Sequence, residues 1–163
     1  MIYRKAAQTK RSHTVITIGQ QTVAEHSYYV AMLVLEITHG HPSVELLKAA
    51  LYHDLAETVT GDVPANAKWE NKLLKMQLEH MEDTWNRENG FHVNLSEEDT
   101  LILKWADSLE LGHYCADQRM LGNKNVDTMF RNIYNFMVGL PRPKGVEVQL
   151  TLLQRRWQDA TEN

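Results

Sequence analysis

The sequence predicts an all-α protein, folded as a single bundle of about six helices. Apolar residues recur at the spacing of amphipathic helices over most of the chain, and residues that favour helix ends bracket each such segment. No internal repeat, low-complexity tract or linker interrupts the 163 residues, of which 43% are hydrophobic. This length suits one domain with a sizeable core, so we expect residues 1–163 to form a single domain.

The first predicted element is an irregular N-terminal arm, residues 1–21, which mixes basic, hydroxyl and β-branched residues and carries Arg11. Thr22 and Glu25 then match a capping box, in which a hydroxyl and a carboxylate three residues later satisfy each other's backbone N–H groups. This pattern predicts a first long helix, which ends before Gly40.

A second helix is predicted to begin after Ser43 and to carry His53 and Asp54 near its C-terminal end. The third predicted helix, residues 69–88, is long and amphipathic. At about 100° per residue its apolar side chains fall on one stripe, formed by Leu74, Leu78, Met81 and Trp85.

The second half of the chain repeats these signals. Ser96 and Asp99 resemble another capping box, with Asp in place of Glu, and start an apolar helix that runs through Leu109. Two acidic residues, at positions 107 and 110, are set within that helix. Two further helices are predicted at about 126–138 and 146–157, which completes the six.

Composition excludes several classes of function. A net charge of −4 gives no general basic field for a nucleic-acid backbone, so no nucleic-acid polymer is expected as a partner. The single cysteine, Cys115, excludes internal disulfides and fits a reducing compartment. The longest apolar run, residues 28–35, is too short to cross a bilayer, and the N-terminus shows no signal-peptide pattern. We therefore expect a soluble, cytoplasmic protein without a membrane partner.

The dipeptide His53-Asp54, followed by Glu57, is the first candidate for a functional site. Glu57 lies three residues after Asp54 and four after His53, so on a helix all three can share one side. Imidazole and carboxylate together suit a divalent transition metal, which can turn bound water into a nucleophile near neutral pH. A buried histidine paired with its neighbouring aspartate is the alternative, and the dipeptide alone does not exclude it.

Two polar residues inside apolar helices extend this candidate site. An acid such as Asp107 is costly in an apolar helix unless it is paired or bound to a cation, and His26 likewise interrupts an apolar helix face. Each alone is typical of an ordinary hydrogen-bonded residue. Together, His26, His53, Asp54 and Asp107 give two histidines and two carboxylates on three major helices. A helical bundle can bring such residues to one point, and the set is typical of a catalytic metal.

The order of these motifs resembles that of the HD-domain metal-dependent phosphohydrolases, with a histidine, a His-Asp pair and a distant aspartate. More specifically, the chain is similar to the 5′-deoxynucleotidase branch and its short bacteriophage relatives, which include dATP triphosphohydrolases. The similarity covers roughly residues 10–112, and the whole set of motifs is specific where a His-Asp pair is not. The motifs are Arg11, Thr22-Val23-Ala24-Glu25-His26-Ser27, His53-Asp54-Leu55-Ala56-Glu57, Gly61-Asp62-Val63-Pro64, Lys68 and Trp105-Ala106-Asp107.

The resemblance implies a role for each matching residue. The four ligands of a divalent transition metal, Co²⁺, Zn²⁺ or Mn²⁺, would be His26, His53, Asp54 and Asp107. Glu57 would act on the attacking water or on the leaving group. These assignments follow from the matching motifs, and spacing alone does not give them.

Three further residues resemble the family's substrate contacts. Asp62 corresponds to a second acidic position, which can orient the substrate or hold a second divalent ion such as Mg²⁺. Arg11 resembles the family's phosphate-gripping arginine, whose guanidinium can fork onto phosphate oxygens. Lys68 is a weaker candidate for phosphate binding, since a lone lysine at a helix start is usually solvated.

One departure from the family pattern concerns base recognition. The family's deoxynucleotidases tend to carry an aromatic residue directly after this arginine, where a base can stack, whereas this chain has Ser12-His13. His13 or Trp69 would have to replace that stack, although Trp69 is expected in the core. His80 and His92 lie where other HD proteins place extra iron ligands, but both are expected at the surface.

The motifs thus predict a metal-dependent phosphohydrolase of 2′-deoxynucleotides. Attack on the phosphorus nearest the sugar releases triphosphate from a dNTP and inorganic phosphate from a dNMP, and the site chemistry is common to both. The short chain and the segment 11–15 are more similar to the phage proteins. Lys10 beside Arg11, with Lys68 as a further cation, adds positive charge for more than one phosphate. We therefore expect a dATP triphosphohydrolase first and a 5′-deoxynucleotidase as the alternative. A non-catalytic nucleotide-binding HD module comes third, because binding alone does not need Glu57 and Asp62.

The predicted helix at 126–138 bears on assembly. Its methionines and aromatic residues look more exposed than one small domain readily buries, although they can also complete the core of the monomer. Together with the resemblance, this helix predicts a homo-oligomer, a dimer or a hexamer. The residues concerned are Met129, Phe130, Ile133, Tyr134 and Met137.

Overall fold

The computed structural model describes residues 1–162, with residue 66 described by its backbone alone. Within these residues the regular structure is helical, and the single β-bridge joins Lys10 to Thr22, which confirms the all-α prediction. The helices are α1 Tyr3–Ala6, α2 Val23–Ile37, α3 Val44–Tyr52, α4 Glu57–Thr60, α5 Ala65–Glu70, α6 Lys72–Asn89, α7 Glu97–Met120, α8 Asp127–Val138 and α9 Val146–Glu162, with a 3₁₀ turn at Lys124–Val126 before α8. None of these described helices combines the length and apolarity needed to span a bilayer.

The six longer helices correspond to the six predicted segments, and the short helices α1, α4 and α5 are additional. The expectation of about six helices was therefore too low, and the arm is not wholly irregular, because it contains α1. The third predicted segment is divided at Asn71. This residue adopts an extended backbone and its side chain accepts a hydrogen bond from the N–H of Leu74 at 3.0 Å. Asn is a favoured N-cap, so α6 begins at Lys72 rather than at Trp69.

The two predicted capping boxes differ in outcome. In the first, the Thr22 N–H donates to Glu25 at 2.7 Å and the Thr22 hydroxyl accepts from the Glu25 N–H. In the second, the Ser96 hydroxyl accepts from the Asp99 N–H at 3.0 Å, but the Asp99 carboxylate accepts from the hydroxyl of Ser43 at 2.9 Å. Because Ser43 is itself the N-cap of α3, this carboxylate joins the starts of α3 and α7 instead of closing a box.

The core forms around α7, which packs against α2, α3, α8 and α9. Trp105 on α7 is fully buried, and its indole N–H donates to the carbonyl of Pro141 at 2.7 Å. Val34 of α2, Leu109 of α7 and Leu153 of α9 are also fully buried. Burying each such side chain contributes about 1.5–3 kcal/mol. This packing fixes α2 relative to α7, the two helices that carry His26 and Asp107.

Most apolar residues of α8 are buried or half-buried, whereas Phe136 and Val138 are 40% and 41% exposed. Phe130 and Met137 are buried, and the other three residues named for this helix are half-buried. The ring of Phe130 stacks on Trp157 of α9, with centroids 3.6 Å apart. The surface argument for assembly was therefore wrong for this helix, and a homo-oligomer stays a prediction from the family resemblance.

The stripe predicted on α6 is only partly covered. Leu78 is buried and Trp85 is half-buried, where its ring stacks on Phe91, but Met81 is 54% exposed. Helix α6 packs mainly against the short helices α4 and α5, which are too small to cover a stripe along the whole length of α6.

We predict that Gly145→Ala lowers the free energy of unfolding more than Gly122→Ala. Both glycines have positive φ angles, +93° and +87°, and a left-handed backbone costs about 1–2 kcal/mol for other residues. Only at Gly145 would the new Cβ also meet backbone, 2.1 Å from the carbonyl oxygen of Ile37. Urea denaturation of both variants measures this free energy. Equal losses would show that the backbone at the junction of α2 and α9 moves to accept the new Cβ without loss of stability.

Candidate metal centre and active site

His53 and Asp54 lie in the turn that follows α3, so the prediction that they fall within that helix was wrong. His53 nevertheless keeps helical dihedral angles and donates its N–H to Ala49. The Glu57 N–H then donates to the carbonyl of Asp54 at 3.0 Å, an i→i−3 bond that tightens the chain. Because the backbone stays close to helical, the spacing still brings the side chains of Asp54 and Glu57 together beside the guanidinium of Arg11.

The structure brings all four predicted ligands together. His26 Nε2 lies 3.2 Å from His53 Nε2, 3.4 Å from Asp54 Oδ2 and 3.1 Å from Asp107 Oδ1. His26, His53 and Asp107 form a group whose ligand atoms all lie within 4.8 Å of one another, a spacing that can hold a metal ion. Asp54 Oδ2 adds a fourth donor 3.5 Å from His53 Nε2. His26 is fully buried whereas the side chain of Asp107 is 45% exposed, so the group opens to solvent on the Asp107 side.

Both histidines present the same ring nitrogen to this group. His53 Nδ1 lies 3.0 Å from the carbonyl oxygen of Ala50, and His26 Nδ1 lies 2.5 Å from Glu110 Oε2. Carbonyl and carboxylate oxygens only accept hydrogen bonds, so Nδ1 carries a proton in each ring, and a metal ion would replace any second proton held at Nε2. Nε2 is then the atom available to a metal, which is the usual arrangement of metal-binding histidines.

Glu110 and Gln21 are functional candidates to which the sequence analysis assigned no role. Glu110 is 3% exposed, and its other carboxylate oxygen accepts a hydrogen bond from Gln21 Nε2 at 2.6 Å. The available signal was the spacing, because Glu110 follows Asp107 by three residues on α7 and so shares its side of the helix. No local pattern pointed to Gln21, which comes from the arm.

A cavity of about 500 Å³ borders Glu110 and Gln21, but none of the four predicted ligands lines it.

Glu57 is 5% exposed and lies beside Asp54 and Arg11. Burial and the Asp54 carboxylate raise the pKa of Glu57 to about 9, against the opposing charge of Arg11. The carboxyl group therefore carries a proton at neutral pH. Arg11 forms an ion pair with Asp54, and although burial raises the pKa of Asp54, the charges of His53 and Arg11 hold it below its usual range.

The remaining predicted site residues differ in how closely they approach this group. Asp62 accepts a hydrogen bond from the Ser12 N–H at 2.9 Å, which ties the arm to the site next to Arg11. Lys68 is half-buried, and its charge lowers the pKa of Asp54. His13 is exposed, and Trp69 is 52% exposed. The core placement of Trp69 was wrong because α5 is a separate six-residue helix with no buried residue described.

The two leftover histidines lie away from the metal-competent group. His80 is exposed on α6, as predicted. His92 is half-buried, with Nδ1 3.0 Å from Asp83 Oδ1 and Nε2 3.0 Å from Asn94 Oδ1. Among the residues that the structure describes, neither belongs to the group that can hold a metal.

The fold is that of the HD-domain phosphohydrolases. One solved structure, the cyanophage S-2L HD phosphohydrolase DatZ bound to dA and one catalytic Zn²⁺ ion, superposes with a TM-score of 0.72 at 20% identity, covering 99% of this chain and 96% of DatZ. An HD-domain phosphohydrolase from Listeria innocua gives a TM-score of 0.73 at 16% identity, covering 99% and 95%.

Within that class, the chain belongs to the YfbR-like 5′-deoxynucleotidase family, whose model matches residues 2–150. The 5′-deoxynucleotidase VV1113 of Vibrio vulnificus is 28% identical over 131 residues, 66% of this chain and 67% of that protein. The 5′-deoxynucleotidase Ent638_2835 of Enterobacter sp. is 29% identical over 130 residues, 65% of each chain. The matched segment therefore spans about two thirds of these curated relatives. The resemblance drawn from the motifs is confirmed.

We predict that His53→Ala and Asp54→Ala each strip bound divalent metal from the purified protein. Both substitutions remove a donor atom from a group that has four, and mixed imidazole and carboxylate sites select transition metals. His80→Ala is the matched control, since this histidine is exposed on α6. Elemental analysis after loading with Co²⁺, Zn²⁺ or Mn²⁺ measures the occupancy. Wild-type occupancy in the two site variants would contradict the ligand assignment.

Proposed function

We propose that the protein is a metal-dependent 5′-deoxynucleotidase, which hydrolyses 2′-deoxynucleoside monophosphates to the deoxynucleoside and inorganic phosphate. One observation carries the proposal. Two histidine Nε2 atoms and two aspartates converge beside the half-buried Arg11 and the buried Glu57. Membership of the YfbR-like family supports the substrate class, because the curated relatives are 5′-deoxynucleotidases.

The donor set fits a divalent transition metal. His26, His53, Asp54 and Asp107 would hold it, and both imidazoles already present Nε2. Such an ion, Zn²⁺, Co²⁺ or Mn²⁺, supplies positive charge to phosphate oxygens and lowers the pKa of a bound water. The structural neighbour DatZ holds one Zn²⁺ ion and dA, which agrees with this fit. For Asp62 the contact with the Ser12 N–H supports a role in placing the arm rather than in holding a second ion such as Mg²⁺.

Arg11 is suited to hold the phosphate. Its guanidinium is paired with Asp54 on one edge, while its Nε is buried with no hydrogen-bond partner among the described residues. A guanidinium has five N–H donors in a fixed fork, so Arg11 can keep its contact with Asp54 and also donate to a phosphate oxygen. Lys68, whose charge is felt by the same carboxylates, adds a second cation nearby.

Glu57 is suited to protonate the leaving group. Water attacks the phosphorus, the bond from phosphorus to the 5′ oxygen breaks, and that oxygen must receive a proton to leave as an alcohol. Glu57 carries a proton at neutral pH because its pKa is raised to about 9. A divalent cation bound beside Asp54 would lower this value towards neutrality, where general acid catalysis is most effective.

The charge distribution favours a monophosphate over a triphosphate. Lys10 is exposed, whereas its neighbour Arg11 is half-buried against the carboxylates, so the pair does not act as a joint clamp for several phosphates. The triphosphohydrolase expectation rested on Arg11 with Lys10 and Lys68, and on similarity to phage proteins. Of the two lysines only Lys68 lies near the carboxylates, and the similarity to DatZ, at 20% identity, extends to the fold alone. A non-catalytic binding module remains third, because a buried, protonated Glu57 has no use in binding alone.

Two broader expectations accompany this proposal. We propose that residues 1–163 act as a single domain, with the arm as part of the active site. We also propose, from the family resemblance, that the protein assembles as a homo-oligomer.

Glu57→Gln should lower kcat by about 10²-fold or more, which is the usual loss when general acid–base help is removed. Metal content should stay at the wild-type level, because Glu57 is not among the ligands. Steady-state phosphate release and elemental analysis on the same preparation measure the two quantities. Unchanged turnover would remove Glu57 from the mechanism, and loss of metal would make it a ligand.

Phosphate should be released from dAMP and other dNMPs, with dATP left intact. Product analysis over deoxy- and ribonucleotides at each phosphorylation level checks this, and triphosphate released from dATP would instead support the triphosphohydrolase.

Arg11→Ala should raise KM and lower kcat together, since one contact both positions the phosphate and stabilises charge in the transition state. Lys10→Ala, the neighbouring exposed cation, is the matched control and should change neither constant.

A further inference from the structure

We propose that Glu110 and Gln21 are positioning residues for the metal ligand His26. In this arrangement Gln21 orients the carboxylate of Glu110, and that carboxylate holds the His26 ring with its proton on Nδ1 and its Nε2 lone pair towards the metal. The inference rests on the proposed metal centre and deepens it, because it assigns a function to two residues outside the ligand set.

The three side chains form a continuous chain of hydrogen bonds, with the Glu110 carboxylate between the other two. Gln21 Nε2 donates to Glu110 Oε1 at 2.6 Å, and His26 Nδ1 donates to Glu110 Oε2 at 2.5 Å. Gln21, Glu110 and His26 are 8%, 3% and 0% exposed. Their low exposure limits competition from bulk water, and each oxygen of the carboxylate has one donor. Charge-assisted bonds of this kind are short and strong.

The carboxylate matters because acceptors lie on both sides of the His26 ring. On the Nε2 side, Asp107 Oδ1 is 3.1 Å away and Asp54 Oδ2 is 3.4 Å away. Without an acceptor at Nδ1, a neutral ring would place its proton on Nε2, where either aspartate can accept it. The lone pair would then be lost to the metal. Glu110 holds the proton on the opposite side of the ring, as carboxylates behind metal-binding histidines do.

Gln21 also connects this chain to the phosphate-binding arm. Its backbone carbonyl accepts the N–H of Arg11 at 2.9 Å, while its side chain donates to Glu110. One residue thus fixes the arginine that would hold phosphate and the carboxylate that orients a metal ligand. A substitution of the Gln21 side chain leaves the backbone contact in place, so the two links can be separated.

The test compares Zn²⁺ affinity in full-length variants by competition with a chromophoric chelator. Glu110→Ala should bind Zn²⁺ about 10- to 100-fold more weakly than wild type, the usual cost of losing such a partner. Gln21→Ala should lose less, since Glu110 remains. The double variant that exchanges the two groups, Gln21→Glu with Glu110→Gln, should recover much of the affinity. In that variant the amide oxygen at position 110 can still accept from His26, while the amide N–H donates to the carboxylate at position 21.

Two measurements separate positioning from a purely structural role. Ser108→Ala is the matched control, since Ser108 is 2% exposed on the same helix and its hydroxyl donates to the carbonyl of Lys104. It should leave Zn²⁺ affinity unchanged. In the Zn²⁺-loaded protein the His26 Nδ1–H proton should resonate far downfield, as expected for a short bond to a carboxylate, and should move upfield or exchange away in Glu110→Ala.

The outcomes distinguish this inference from the proposed function. Wild-type Zn²⁺ affinity in Glu110→Ala, or an equal loss in Ser108→Ala, would overturn the positioning role. Weakened Zn²⁺ binding in Glu110→Ala, together with a wild-type protein that releases no phosphate from any deoxynucleotide, would keep the positioning role and overturn the nucleotidase. A wild-type protein that binds no divalent metal would overturn both.

Discussion

The site depends on one constraint, which is that the negative charge of its clustered carboxylates must be balanced by positive charge or by protons. Asp54, Asp107 and Glu57 converge on a small volume with the half-buried cation Arg11, and like charges at this separation raise each other's pKa. Protons provide part of the compensation. Burial and Arg11 lower the pKa of His26, but hydrogen bonds to carboxylates outweigh them and raise it to about 9, and Glu57 reaches the same value. A divalent cation provides the same compensation and also activates water.

Helix α7 carries two of the acidic residues and fixes their positions. It contributes Asp107 to the metal group and, one turn later, Glu110 behind His26. The same helix forms the centre of the core, where Trp105 and Leu109 are fully buried. Side chains of a packed core keep fixed positions, so the two carboxylates are presented by the most constrained part of the molecule. A catalytic constellation on such an element stays within the narrow geometry that chemistry requires.

The arm connects Arg11, the proposed phosphate ligand, to the group that can hold a metal. It is anchored at Ser12 by Asp62, at Arg11 by Asp54, and at Gln21 by Glu110. An arm fixed at three points loses little conformational freedom when the phosphate binds, which favours affinity. Asp62 holds the arm at Ser12, next to Arg11, a contact that neither its position after Gly61 nor its charge indicates.

The sequence by itself determined what local interactions decide. The capping box at Thr22 and the helical spacing are each set within a few residues, so the all-α class and the longer helices were predictable. The four candidate ligands followed from the resemblance of their motifs to a known family. Tertiary structure decided which distant residues the polar and aromatic side chains contact. Asp99 accepts a hydrogen bond from Ser43, Trp69 stays exposed, and Glu110 accepts one from Gln21, which is 89 positions away in the sequence. Such choices depend on which elements pack together, and burial and hydrogen bonding between distant segments leave no periodic signal in the chain.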